Sequence, residues 1–459
     1  MVSGVHRVFE FSYFISMFLF VFIVIGMAIR FIMLLLSIRW IKYEKQLIQT
    51  PIQRYPKVSL LIPAYNEENV IVESVTHVIN ADYPELEIIV INDGSQDNTL
   101  PLLVHAFELT ENPGRKVIES IPTQQIRRVF TTPLIPNLIV IDKENGGKAD
   151  ALNCGINASA AEYVLAVDAD THLTHNTLRY LVKPLVHDPT VVVTSGSVRI
   201  LPEKNHSIFA DLQKIEFVNS ISLFRTGWNH FNANLIVSGA LGLFQRKLLL
   251  EINGYHNMAI GEDMELIVRI HRHLIENNST YRILQFSLPT CFTSAVPTIA
   301  EMVKQRKRWQ KGLLSSLRLN TRLFLNPRYK SVGLLAIPYY ILFEVMAPFI
   351  ELLGLFFFVF TLMFRLPAFT PVVLPWATPL WIWVGGIVFA VMNDWLSISI
   401  DRYMLRGMSA AEYGRLMLSS MTGFFFYHFI QLYCKIKGTF EYFSSIQISV
   451  KWDTQRKKT

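Results

Sequence analysis

Between Val58 and Thr171 the chain repeats one pattern, an unbroken apolar run that ends in polar, turn-forming residues. VSLLIPAYNEE (Val58–Glu68), LEIIVINDGSQDNT (Leu86–Thr99), NLIVIDKENGGKADALN (Asn137–Asn153) and YVLAVDADT (Tyr163–Thr171) each read as a buried strand and a loop, mostly followed by a helix. Such units build a parallel sheet with helices on both faces and ligands at the carboxyl ends of its strands. The expected fold class is therefore α/β and Rossmann-like, with Glu67, Asp93, Lys148, Asp168 and Asp170 converging at one edge of the sheet.

A second pattern flanks the first. FSYFISMFLFVFIVIGMA (Phe11–Ala28) meets the requirement of roughly 18 apolar residues for a bilayer crossing. It is too long for a signal-peptide core and lacks a small-residue cleavage site, so it reads as a retained anchor. Apolar runs return at Leu334–Phe364, around Leu380–Ile398 and around Leu416–Cys434, each long enough to enter the membrane. Glu344 and Glu351 interrupt the first, so part of it is expected to lie along the interface. These shifts divide the chain into an anchor (1–45), a globular α/β domain (51–300), an amphipathic interface helix (301–330), a membrane region (331–437) and a tail (438–459).

Composition agrees. The 459 residues are 51% hydrophobic and 17% charged, and a mean hydropathy of +0.31 is too apolar for an ordinary soluble enzyme. Arg30, Arg39, Lys42 and Lys45 follow the first apolar segment, whereas Arg7 alone precedes it. The positive-inside rule then puts the globular domain in the cytoplasm of a multi-pass protein of the cell membrane. The net charge of +7 sits largely beside apolar segments and in Lys304–Arg322, so membrane lipids and phosphate, not nucleic acid, are the expected partners. Cys154, Cys291 and Cys434 are far apart and read as ordinary buried thiols.

Several of these residues could carry chemistry. Side chains alternate along a strand, so Asp168 and Asp170 point to the same side, where hard oxygen ligands could hold a divalent cation. A solvated strand end explains an isolated pair equally well. Asn66 and Asp97 could cap helices, Asp93-Gly94 is a common turn dipeptide, and Gly146-Gly147-Lys148 lacks the flanks of a P-loop. In AIGEDMELIVRIHRHL (Ala259–Leu274) the apolar positions follow helical spacing, with Glu262 and Asp263 at the helix start, where acids also favour the macrodipole. In QRKRW, Gln305, Arg308 and Trp309 share one helical face, while the surrounding Lys304, Arg306, Lys307, Lys311, Arg318 and Arg322 suit anionic lipid.

Taken together, the segments from Pro63 to Trp309 resemble family 2, GT-A-fold inverting glycosyltransferases of the membrane-bound, processive polysaccharide-synthase type. That group makes cellulose, chitin, hyaluronan and poly-N-acetylglucosamine. The resemblance implies that Asp168 and Asp170 contact the donor and hold Mg²⁺ or Mn²⁺, that Glu67 and Asp93 contact the uridine, and that Lys148 contacts the UDP moiety. Gly261-Glu262-Asp263 is similar to the family's Thr/Gly-Glu-Asp motif, whose aspartate, here Asp263, is the base. QRKRW matches Gln-X-X-Arg-Trp in full, which implies Arg308 on the departing diphosphate and Trp309, with Gln305, at the acceptor. Ser238 and Gly239 resemble an acceptor-site stretch, although a small-residue turn between strands looks the same.

Trp452, Thr454 and Arg456 resemble a gating segment of some members, and a basic tail is the alternative. A tail that reaches the active site requires an even number of crossings after the domain. One of the three apolar runs is then interfacial or re-entrant, or the first contains an extra pass. The implied activity is transfer from UDP-GlcNAc or UDP-glucose to a growing β-linked glycan that leaves through a membrane channel. Glu344 and Glu351 either line that channel or pair with neighbouring cations. Accessory secretion subunits and a homo-oligomer stay open as partners. The rivals are a non-processive transferase acting on a lipid carrier and a catalytically silent membrane scaffold.

Overall fold

The structure, a computed structural model, describes residues 2–201, 207–239, 241–257, 259–364, 378–405 and 408–444. Trp452, Thr454 and Arg456 lie outside the described residues. Ten strands form one sheet: β1 (Val58–Ala64), β2 (Leu86–Asp93), β3 (Thr110–Glu111), β4 (Ile126–Thr131), β5 (Leu138–Lys143), β6 (Tyr163–Ala166), β7 (His172–Leu173), β8 (Val191–Ile200), β9 (Gly242–Gln245) and β10 (Arg282–Thr293). Their order is β3-β4-β5-β2-β1-β6-β9-β8-β10-β7.

The central strands β5, β2, β1 and β6 run parallel. Every residue of β1, β2 and β5 is buried, as expected where helices cover both faces of a sheet. From β1 the chain winds outward through β2 to β5, then returns to place β6 on the other side of β1. That reversal opens a crevice between the carboxyl ends of β1 and β6, the position where open α/β sheets bind ligands.

The N-terminal helix, Val2–Gln49, is far longer than the Phe11–Ala28 segment alone. Its last turns dock on the domain through buried Trp40, Ile41 and Leu47. Glu44, also buried, accepts hydrogen bonds from the Ser287 and Leu288 backbone N–H groups at 3.0 and 2.9 Å and from the Ser287 hydroxyl at 2.6 Å. These groups lie where the register of β10 against β8 shifts, so a side chain satisfies donors that the irregular ladder leaves over.

Among the described residues, three helical stretches are long and apolar enough to cross a membrane: Met17–Gln49, Val332–Phe360 and Trp381–Tyr403. The helix that holds Leu416–Cys434, Ala410–Ser444, is not among them. Ser419, Ser420, Thr422, His428 and Gln431 dilute its apolar character. The helix lies along Ile299–Leu319, Thr378–Leu405 and Ile208–Glu216. Glu344 pairs with Lys435 on it at 2.7 Å, and Glu351 meets the His428 ring at 3.2 Å, so both acids have partners and are not free channel-lining groups. All three cysteines are free and buried.

The helix Glu262–Glu276 packs an almost continuous buried face against the sheet and includes His271. Its Nε2–H donates to the Asn234 carbonyl at 2.8 Å, and its Nδ1 accepts from the Tyr281 hydroxyl at 2.6 Å, an arrangement that suits the neutral ring. Burial pushes the His271 pKa down from 6.5 to about 4. Between those values the unfolded chain holds a proton that the folded chain lacks, so stability falls as pH drops through this window. At roughly 1.4 kcal/mol per unit, the window is worth about 3 kcal/mol. On acidification through this window, the wild type should therefore lose stability in thermal unfolding relative to His271→Gln.

Candidate active site

The crevice is organised by the loops after β1 and β2. Asn66, in a left-handed conformation at φ 55°, receives the Gln96 N–H on its Oδ1 at 2.8 Å, and its own N–H donates to Ser95 Oγ at 3.0 Å. The Glu67 N–H donates to Thr99 Oγ1 at 2.7 Å, and that of Glu68 to Asp97 Oδ2 at 3.2 Å. Asn66 and Asp97 thus join two loops and do more than cap helices. The backbone of half-buried Glu67 is thereby fixed at the mouth of the crevice.

Asp93, which the resemblance places at the uridine, ends β2. It is fully buried. Lys143 Nζ lies 2.7 Å from its Oδ1, and the Gly147 and Gly146 N–H groups donate to the same carboxylate at 2.8 and 3.1 Å. Lys143, also completely buried, lies 2.5 Å from Asp150 and donates to the Glu144 carbonyl at 2.6 Å. Burial opposes the charge of Lys143, but the two carboxylates overcome it and raise its pKa. This acid–base–acid cluster anchors the turn before Lys148, in which Gly147 takes φ 90°, a conformation that glycine adopts without a Cβ penalty. Sequence reasoning missed Lys143 and Asp150. The available signal was a lysine closing a strand otherwise expected to be buried.

Above that turn, the anticipated residues meet. Lys148 Nζ is 2.6 Å from Asp168 Oδ1 and 3.5 Å from Glu262 Oε1. A Cβ placed on Gly239 would lie 3.4 Å from both Asp263 Oδ2 and Lys148 Nζ, so Gly239 forms the wall beside the acid pair. Burial again opposes charge on Lys148, yet Asp168, Glu262 and Asp263 raise its pKa and keep it cationic. Burial raises the pKa of Glu262, with Lys148 working against that. Asp263 Oδ1 accepts the Met264 N–H at 2.8 Å, which leaves Oδ2 on the Gly239 side. Ser238 turns the chain into β9, its carbonyl accepting the Leu241 N–H at 3.0 Å.

Asp168 is half-buried and Asp170 exposed in the turn after β6, so the strand alternation expected to align them does not extend this far. Two carboxylates separated by one residue supply hard oxygen donors beside a cationic lysine, a set that fits Mg²⁺ or Mn²⁺ at a diphosphate.

The helix Ile299–Leu319 carries Gln305, Arg308 and Trp309 beside this centre, with Arg308 and Trp309 exposed. The charge of Arg308 also reaches Glu262, where it works with Lys148 against the rise that burial imposes on the Glu262 pKa. Three of the surrounding cations serve the protein and not the lipid surface anticipated for them. Arg306 is buried 2.7 Å from Glu216 with its guanidinium 3.9 Å from the Trp309 ring centre, while Lys307 and Lys311 clamp Glu441 at 2.7 and 2.6 Å. Arg306 therefore orients the tryptophan from behind.

Gly261 and Gly312 bring the two motifs together. A Cβ on Gly312 would come within 3.0 Å of Gly261 Cα, and one on Gly261 within 2.8 Å of Gly312 Cα. Gly312 lies one helical turn after Arg308, so this contact sets the distance from the arginine to Glu262 and Asp263. Gly312→Val should force the helices apart at a cost of about 1–3 kcal/mol. Turnover should fall along with the melting temperature, as activity assays and thermal unfolding of the two proteins side by side would show.

Comparisons with known proteins agree with this geometry. The model described as "Glycosyl transferase family 2" matches residues 59–252, and "Glycosyl transferase family group 2" matches residues 163–384. The chain is 28% identical over 256 residues to a poly-β-1,6-N-acetyl-D-glucosamine synthase of Staphylococcus aureus (strain MSSA476), covering 56% of this chain and 54% of the relative. The Staphylococcus epidermidis enzyme of that name is 28% identical over 266 residues, covering 58% and 57% respectively. The chain thus spans little more than half the length of these relatives. A mannosyltransferase from Pyrobaculum calidifontis, solved with GDP-Man and Mn²⁺, superposes with a TM-score of 0.53 at 19% identity, covering 88% of this chain and 99% of its own. That likeness establishes a shared GT-A fold. With two family models across the α/β domain and the motif helix, the chain belongs to family 2 of the glycosyltransferases.

Proposed function

We propose that this enzyme transfers a sugar from a UDP-sugar, UDP-GlcNAc before UDP-glucose, to a growing β-linked glycan with inversion at the anomeric carbon. The observation that carries the reading is the convergence of Lys148, Asp168, Glu262 and Asp263 within one crevice, with Gly239 as its wall. The preference for GlcNAc rests on the named activity of the staphylococcal relatives.

Asp263 takes the proton from the acceptor hydroxyl on its Oδ2 as that oxygen attacks the sugar. Lys148 and Arg308 place positive charge where the diphosphate departs, and Trp309 offers a flat face to the acceptor ring. Asp168 and Asp170 would hold Mg²⁺ or Mn²⁺, which when bound neutralises charge on the diphosphate. Asp93 supports the donor through the Gly146-Gly147 turn, while Glu67 reaches it from the β1 loop. Gln305 and Ser238 complete the acceptor side.

Two spans after the domain, Val332–Phe360 and Trp381–Tyr403, are long and apolar enough to cross, and two crossings would return the chain to the side on which the domain lies. Together with the basic residues after the first span, this favours a cytoplasmic domain in a multi-pass membrane protein and a polymer exported between the helices. The test is to incubate the detergent-purified protein with Mg²⁺ or Mn²⁺ and a panel of UDP-sugars, measuring UDP release and product size. A long polymer from UDP-GlcNAc is expected. A single-sugar lipid product would replace this reading with the lipid-carrier transferase, and absence of turnover with every donor would count for the silent scaffold.

A further inference from the structure

A second cluster lies apart from the Asp168/Asp170 pair. Glu73 and His77 stand four residues apart on the helix Ile71–Ile79, whose buried face is formed by Ile71, Ser74, Val75 and Val78. The first two therefore project together from the exposed side. His172 meets them from β7, with the His77 and His172 ring centres 5.2 Å apart. One ligand atom from each of the three residues falls within 4.8 Å of the others. None of the three side chains is engaged in a hydrogen bond or ion pair among the described residues, so the donor atoms are available.

The donor chemistry differs from that of the donor-sugar crevice. Two imidazole nitrogens and one carboxylate favour a borderline cation such as Zn²⁺ or Co²⁺, whereas all-oxygen sites favour Mg²⁺. With bonds of roughly 2.0–2.1 Å, tetrahedral zinc places its ligand atoms about 3.3 Å apart, which small rotamer adjustments of surface side chains can reach. Three protein ligands leave the fourth position to water. We propose that Glu73, His77 and His172 form a transition-metal site that ties this helix to β7.

The location gives such a site a structural consequence. The Thr171 N–H donates to the Asp168 carbonyl at 3.1 Å, closing the Asp-X-Asp turn directly before His172. β7 is only two residues long and pairs with β10 through His172 and Leu173. A cation on His172 therefore restrains the outgoing end of the Asp168–Asp170 segment. It does so without contacting the diphosphate, and the inference does not depend on which sugar is transferred.

The test uses the full chain without a polyhistidine tag, stripped by a chelator and titrated with Co²⁺ as an optical probe and then Zn²⁺. Wild type and Asp170→Asn should each bind one equivalent of Co²⁺ that Zn²⁺ displaces and excess Mg²⁺ does not. His77→Gln, a change on an exposed helical face, and His172→Gln should each lose that equivalent. Hydrogen exchange across residues 168–173 should slow on Zn²⁺ addition in wild type and remain unchanged in His77→Gln. Retention of the equivalent in His77→Gln would overturn the proposal, as would displacement by Mg²⁺ or an intense thiolate–cobalt absorption that places the cation on a cysteine.

Discussion

Asp263→Asn is expected to lower sugar transfer by roughly 10²- to 10⁴-fold, the range that a positioned general base contributes, while UDP affinity remains that of the wild type. The asparagine keeps the shape of the side chain and still accepts the Met264 N–H through its carbonyl oxygen. What it cannot do is take a proton at the Oδ2 position facing Gly239. Glu262→Gln should behave differently. Glu262 faces Lys148 at 3.5 Å and helps keep that lysine cationic, so its loss should weaken donor binding as well as turnover. Steady-state kinetics paired with calorimetric UDP binding distinguish the two acids. Full turnover in Asp263→Asn, with the loss appearing in Glu262→Gln instead, would transfer the role of base to Glu262.

Lys143→Met should destabilise the catalytic domain by about 3–5 kcal/mol, the usual cost of removing one partner from a buried ion pair. Lys143 stands between Asp93 and Asp150 with all three side chains essentially out of contact with water. Without the ammonium group, two carboxylates face each other in a dry interior, supported by N–H donors from Gly146, Gly147 and Gln124 and by the Asn145 and Asn257 amides. Adding Asp93→Asn to Lys143→Met should recover part of the loss by removing one of the two charges. Thermal unfolding in detergent measures both effects. A Lys143→Met protein that melts with the wild type would show that the cluster contributes nothing to folding. Because the same cluster holds the turn before Lys148, UDP affinity should fall along with stability.

Much of this protein was legible along the chain because its signals are local. Unbroken apolar runs ending in polar turns define β1, β2, β5 and β6, since strands covered on both faces need no alternation. Gln305, Arg308 and Trp309 follow from helical period, whereas Asp168 and Asp170 fall in the turn after β6, beyond the reach of the strand period expected to align them. Glu262 and Asp263 could be placed at a helix start from the spacing that follows them. The first long apolar span was also readable, because bilayer thickness fixes a minimum length.

Partnership between distant segments was not legible. Asp93 and Lys143 are 50 residues apart and meet only because β2 and β5 pair in register, so the buried lysine that holds a motif aspartate could not be read from the motif. Arg306, Lys307 and Lys311 looked like a lipid-facing basic stripe until Glu216 and Glu441 were brought against them by separate helices. The Gly261–Gly312 contact and the meeting of His172 with Glu73 and His77 likewise depend on the packing of elements far apart in sequence. Periodicity and turn chemistry act over a few residues and are written into the sequence itself. Burial, pairing and close approach arise from elements that touch only in the folded chain, so tertiary structure alone decides whether a charge meets water, lipid or another charge.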